Sequence, residues 1–378
     1  MKYPTEPIVN KGDLPDPFAV PGGGRMLSPQ AWPQCAAAWR DLIVTTEYGG
    51  MPPQPEMVEF ETLCHNAVRR WEGKPNFWSY KIHCAGGEKP FSFAVQILFP
   101  PTDEPVPAII NGDRCWWYMS DEVARAVIDK GCALVLFNRT ELAEDLGFYK
   151  NCPDADRRTG GLWDVYPGRT FGALSAWAWG YHRCVDLLAT LPYIDDARIA
   201  VTGHSRGGKT TLIAGATDER IGLVNDNGSC AGGSAAFRYV GHGGETSNIV
   251  NVFPSWFGHG MRQYVDQEDE LPFDQHCLLA TIAPRPLLLT YALDDRWSNP
   301  EGMVLCAEAA RQVYEFLGKP DNLAFHLRPG THRHAPDDWQ VLLDFIGWHW
   351  QGEEPLAAYN QHPYPHLEPA FRWRQPGA

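Results

Sequence analysis

The sequence predicts an α/β fold: a doubly wound, mostly parallel sheet flanked by helices, stacked as a three-layer sandwich. Three observations point there. Short β-branched runs alternate with long amphipathic segments through the second half of the chain. One of those runs passes through a glycine-rich turn directly into an apolar helix. The 378 residues are 44% hydrophobic and 21% charged, enough apolar surface for a full-sized core.

The elements read in order as follows. Residues 1–30, rich in Pro and Gly, are expected to run as an extended arm over the surface. Helical patterns are read over 30–44 and 55–72. Strand-like runs come next, at Trp78–Cys84, Ser92–Phe99, Ala108–Ile110, Ala133–Phe137, Arg198–Thr202, Leu287–Tyr291 and Leu323–Leu327. Amphipathic segments Leu174–Leu191, Lys209–Thr217 and Gly302–Leu317 lie between the later strands, which is the signature of βαβ units. The early strands, joined by short Pro-containing turns, are expected at an antiparallel edge. The chain reads as one domain over 1–378, with an N-terminal arm and helices to about residue 75 and an irregular tail over about 353–378.

Composition narrows the function. A formal net charge of -14 argues against nucleic acid, whose phosphates require a positive surface. The 15 Trp, 14 Tyr and 17 Phe lean toward a carbohydrate ligand, although most such rings fill cores. Ten scattered cysteines include no CxxC pair and no zinc-ligand spacing, so they read as free buried thiols. No apolar run approaches the roughly 18 residues of a membrane span. No leader pattern opens the chain. The expectation is a soluble monomer, cytoplasmic in this form, or exported if a leader has been removed.

Residues 198–217 read RIAVTGHSRGGKTTLIAGAT. A β-branched strand enters Gly203-His204-Ser205-Arg206-Gly207 and a helix follows, which is G-x-S-x-G in the setting of a nucleophile elbow. The sharp turn lifts the serine clear of the sheet, and glycines flank it because side chains there would collide. Helix N-terminal amides beside Ser205 favour developing negative charge, and the Arg206 amide would form half of an oxyanion hole. This motif makes the expected fold that of the α/β-hydrolases.

In that fold the acid and then the histidine follow the serine. The run PRPLLLTYALDDRW supplies two carboxylates. Asp295 is preferred because Ala292 would end the strand, leaving Asp294 as a solvated loop residue. In LAFHLRPGTHRHAPDDW the histidine is His332, after Pro329-Gly330-Thr331, with His334 as competitor. His332 would serve Ser205 as general base and the leaving alcohol as general acid, with Asp295 holding the ring. Asp337 and Asp338 are expected to open the last helix.

The blocks GHSRGGKTTLIAGATDER, GGET followed by NVFPSWF, LPFDQHCLLATIAPRP, DDRWSNPEG and RPGTHRHAPDDW stand in one order between Leu14 and Trp350. With them the chain resembles the glucuronoyl esterases, carbohydrate esterase family 15, in its bacterial branch. The resemblance implies cleavage of the ester between a (4-O-methyl-)glucuronic acid on xylan and a lignin alcohol, with no metal or organic cofactor. It carries over Ser205 and His332 as nucleophile and base and Arg206 as an arginine that helps stabilise the oxyanion. Lys209, Glu245 and Trp297 match residues that contact the uronate sugar. Lys209 lies one helical turn beyond Ser205 and is expected to face the same cleft. Without the resemblance these three would read as a solvated lysine, a structural carboxylate and a packed aromatic.

There are departures. Many members of that family carry a catalytic glutamate where this chain has Gly228, within Asn227-Gly228-Ser229-Cys230-Ala231-Gly232-Gly233, and Asp226 lies two residues away. Other members place the acid after the later strand, in agreement with Asp295. The segment from Asn111 to Trp117 is also unusual for the family. Two other readings are an acetyl xylan esterase or other small-ester hydrolase on the same fold, and a carbohydrate-binding homologue without catalysis.

Overall fold

The computed structural model describes residues 8–69, 71–72, 75–115, 119–146 and 155–377. Strand β1 (Val9–Asn10) ties the N-terminal arm to the body by pairing with β9 (Tyr239–Val240). The arm does cross the surface, but it is nailed down by Leu14, Phe18 and Met26, all buried. Helix α1 (Trp32–Tyr48) follows and ends at Gly49, whose φ of 77° supplies the left-handed cap.

The central sheet begins with β2 (Met57–Ala67), β3 (Asn76–Ala85), β4 (Phe91–Phe99) and β5 (Val106–Asn111). Here the expected helix over 55–72 is overturned, because Met57–Ala67 is an edge strand paired antiparallel with β3. Its helix-forming residues Glu59, Glu61 and Leu63 lie on the exposed face, while Val58 and Phe60 pack toward the core with a period of two. Charges on such an edge also discourage pairing with another chain. Then come α2 (Asp121–Asp129), capped by Ser120, β6 (Ala133–Phe137), the short α3 (Gly161–Val165) and α4 (Ala173–Leu188). Strand β7 (Ile194–His204) leads into α5 (Arg206–Thr217) and β8 (Leu223–Asn227). After β9 come α6 (Ile249–Val252), α7 (Gln275–Thr281), β10 (Leu287–Ala292), α8 (Pro300–Phe316), β11 (Leu323–Arg328) and α9 (Pro336–Ile346).

Among the described residues nine strands form one sheet in the order β11-β10-β8-β7-β5-β6-β4-β3-β2. From β11 to β6 the neighbours run parallel; the pairs from β6 to β2 are antiparallel. Successive residues of the parallel strands point to opposite faces, so Ala108 and Ile110 join one core cluster while Ile109 joins the other. The larger cluster lies under α1, α4, α5, α7 and α8; the smaller one, with Leu134, Ala200 and Leu288, lies under α2 and α9. Truncating a fully buried leucine such as Leu288 to alanine would cost about 2–5 kcal/mol. Among the described residues the tail beyond Glu353 has no regular helix or strand, and its Trp373 donates to the Leu14 carbonyl at 2.9 Å. The nine cysteines among the described residues form no disulfide; Cys152 lies outside them.

Candidate active site

Three loops at the carboxyl ends of β7, β10 and β11 build the site, where an open parallel sheet of this kind places ligands. At the first, β7 turns into α5 through Ser205, held at φ 57° and ψ −117°. A non-glycine residue at positive φ is strained, and the surroundings hold it there. A Cβ on Gly203 would collide with the Gly207 carbonyl, and one on Gly207 would strike the Asp113 carboxylate. Asp113 accepts the His204 amide at 2.7 Å and is ion-paired to buried Arg139, so the elbow rests on a charge pair beneath it. The Ser205 amide donates to Asn227 at 2.8 Å, which fixes the height of the turn against β8.

The second and third loops carry Asp295 and His332. Asp295 is buried, and its Oδ2 lies 2.5 Å from His332 Nδ1. Asp294 points away: its Oδ2 accepts the Gly330 amide at 3.0 Å, and its own amide donates to the Gly330 carbonyl at 3.0 Å. It therefore joins the acid loop to the histidine loop. Asn299, at φ 53°, ends the acid loop by capping α8; it also donates to Tyr239 at 2.8 Å and accepts from Gly241 at 2.9 Å. His332 keeps about a third of its side-chain surface exposed. With Nδ1 engaged by Asp295, its Nε2 is the nitrogen left for a substrate-side proton.

The competitor His334 is buried instead, stacked on Trp339 at 4.9 Å; burial beside His204 pushes it down to about 3. His204 tilts against His332 at 4.4 Å, and burial followed by that neighbour brings it to about 4, so it stays neutral at ordinary pH. Asp337 and Asp338 open α9, where Asp338 accepts the Ala335 amide at 2.7 Å. Asp226 accepts from Ser229 at 2.7 Å and from Ser234, with its other oxygen unpartnered among the described residues; burial raises it to about 6. An ideal Cβ on Gly228 would lie 3.7 Å from His332 Nδ1, so that backbone position aims at the ring while Asp226 does not.

Arg206 starts α5 and turns its guanidinium onto Asp145, with Nη1 to carboxylate distances of 3.0 and 3.1 Å. The Trp256 ring lies beneath the guanidinium at 4.5 Å, and its indole N–H donates to the same Asp145 at 3.0 Å. Neither Asp145 nor Trp256 was marked by sequence reasoning, although Trp256 sits inside the NVFPSWF block. Ser298, which bonds both Asp295 and His332, was missed as well; a serine three residues past an aspartate has no distinguishing signal.

Lys209 departs from the expectation of an open cleft residue. It is 2% exposed, and its ammonium donates to the Ser229 and Ala231 carbonyls and to Glu245 at 3.2 Å. A direct bond to a sugar hydroxyl therefore requires that one of these partners be given up. Burial raises Glu245 and the lysine opposes it. The Glu245 amide donates to the Trp297 carbonyl at 2.9 Å, and Trp297 itself is 53% exposed, an aromatic face turned to solvent. Ser205 also lines a cavity of about 880 Å³, whose walls do not include Lys209, Glu245 or Trp297. His204, Ser205, Arg206 and His332 form its polar wall, and Leu98, Leu134, Leu136 and Trp339 its apolar wall. Trp116 and Trp117, singled out in the sequence beside this region, lie outside the described residues.

Among the described residues, no cluster of His, Cys, Asp and Glu could hold a metal ion, and no helix is long and apolar enough to cross a membrane. The sheet order and the serine elbow at its carboxyl edge define an α/β-hydrolase. A family described as "Glucuronyl esterase, fungi" matches residues 82–318. The chain is 30% identical over 343 residues to 4-O-methyl-glucuronoyl methylesterase 1 of Wolfiporia cocos, covering 88% of this chain and 78% of that protein. It is 41% identical over 198 residues to carbohydrate esterase MZ0003 of an unknown prokaryotic organism, covering 48% of this chain and 45% of the relative. A carbohydrate esterase family 15 glucuronoyl esterase from Caldicellulosiruptor kristjansonii superposes with a TM-score of 0.80 at 30% identity, over 96% of this chain and 97% of that one. The chain belongs to the glucuronoyl esterase family, carbohydrate esterase family 15.

Proposed function

We propose that this chain is a single catalytic domain that hydrolyses glucuronoyl esters through an acyl-enzyme on Ser205. The observation that carries the mechanism is the pairing of His332 with buried Asp295 beside the strained serine. The relatives' names, glucuronoyl esterase and 4-O-methyl-glucuronoyl methylesterase, support the substrate class.

His332 Nε2 takes the Ser205 hydroxyl proton as Oγ attacks the C6 carbonyl of the uronate. Amides at the start of α5 and the Arg206 guanidinium receive the oxyanion. Asp295 stabilises the imidazolium that forms. Collapse breaks the bond to the alcohol, which leaves with the proton from His332. Water, deprotonated by the same ring, then attacks the acyl carbon; the bond to Ser205 Oγ breaks, the ring returns the proton to that oxygen, and the uronic acid is freed. The sugar is assigned to the side of Ser205 bearing Glu245, Lys209 and Trp297, and the enzyme is read as a monomer acting off the membrane. Labelling by a fluorophosphonate, lost in Ser205→Ala together with all ester turnover, is the experiment; retained turnover in that variant would refute the mechanism.

A further inference from the structure

The Asp295 Oδ2 atom accepts the Ser298 hydroxyl and lies 2.5 Å from His332 Nδ1, and Ser298 Oγ also lies 3.0 Å from that nitrogen. Ser298 is fully buried. Its amide closes the turn by donating to the Asp295 carbonyl at 3.2 Å, and the Asn299-Pro300 cap of α8 begins at the next residue. The hydroxyl is therefore held by backbone on both sides.

A serine hydroxyl carries one proton. Here that proton goes to the carboxylate, which is acceptor-only when ionised. Toward His332 the oxygen can then only accept. A contact of 3.0 Å between this oxygen and Nδ1 is attractive when Nδ1 carries the hydrogen and repulsive when it does not. We infer that Ser298 is a positioning residue that selects the Nδ1–H tautomer of His332 and fixes the Asp295 carboxylate against it, leaving Nε2 free to accept the serine proton. This rests on the proposed Ser205–His332–Asp295 set. Position 228 agrees, because an ideal Cβ there would lie 3.6 Å from Ser298 Oγ, and the glycine leaves the space between that oxygen and the ring unfilled.

The test compares Ser298→Thr with Ser298→Val, which share a shape and differ in the hydroxyl, together with Ser298→Ala and Asp295→Ala. Turnover is measured on benzyl glucuronate and on p-nitrophenyl acetate, and melting temperature reports folding. Loss of a hydrogen bond to a charged group corresponds to about a tenfold effect. The expected result is a kcat for Ser298→Val and Ser298→Ala about tenfold or more below that of Ser298→Thr, with KM changed less than about twofold. In an Asp295→Ala background, Ser298→Ala should have almost no further effect. Equal kcat for the Thr and Val variants, or a full additional loss in the Asp295→Ala background, overturns the inference. Undiminished turnover in Asp295→Ala overturns the reading beneath it. If the wild type hydrolyses only the acetate, the substrate assignment fails and the Thr–Val comparison on acetate still decides the role of Ser298.

Discussion

Asp295 and His332 meet at 2.5 Å, whereas Asp294, one residue earlier, spends its carboxylate on the Gly330 amide. Two adjacent carboxylates thus make separate contacts: one holds the His332 ring, the other fastens the loop that carries it.

Replacing Asp295 with Ala should lower kcat by about 100- to 10,000-fold, since an unoriented imidazole presents the wrong tautomer. Asp294→Ala should cost less than about tenfold in turnover and lower the melting temperature modestly, because only one exposed hydrogen bond is lost. Steady-state kinetics on both variants check this. The reverse ranking would refute the assignment of the acid.

The guanidinium of Arg206 is oriented by Asp145 and by the Trp256 ring. Arg206→Ala should reduce kcat about 100- to 1000-fold, the usual cost of one oxyanion donor. Asp145→Asn should cost less, because it loosens the guanidinium without removing it. Both variants should still react with a fluorophosphonate, which distinguishes lost stabilisation of the oxyanion from a collapsed elbow.

Much of this site was legible in the sequence. The elbow is local, and its strand, glycines and helix are contiguous, so Ser205 and the Arg206 amide are read from spacing, whereas the Arg206 side chain entered only with the family resemblance. The order of acid and base, and the strands before them, lead to Asp295 and His332. Reading the strand Met57–Ala67 as a helix has a physical cause: an edge strand carries polar residues on its open face, and Glu59 and Glu61 read as helix formers there. The Lys209–Glu245 pair, the Asp145 seat and the Ser298 bridge join residues 36, 61 and 34 positions apart, and no local pattern marks such contacts.

The buried Glu47 predicts a pH effect on stability. Burial pushes this carboxyl up to about 8, although the Gln275 amide donates to both of its oxygens. In the unfolded chain it titrates near 4.3. The folded state holds a proton that the unfolded state has released, so the stabilisation is complete below about pH 4 and is lost as pH rises to about 8. Glu47→Gln removes this dependence. Its melting temperature relative to wild type should therefore rise steadily between about pH 5 and 8, and a difference that is flat or falls across that window would contradict the upward shift of this buried acid.

The most direct measurement is hydrolysis of benzyl glucuronate beside p-nitrophenyl acetate by the wild type and by Glu245→Gln and Lys209→Ala. The account predicts a wild-type preference for the glucuronate in kcat/KM. Each variant should lose it by about tenfold or more while acetate turnover falls far less. Activity on acetate alone, or equal losses on both substrates, would contradict the assignment of the uronate to this side of Ser205.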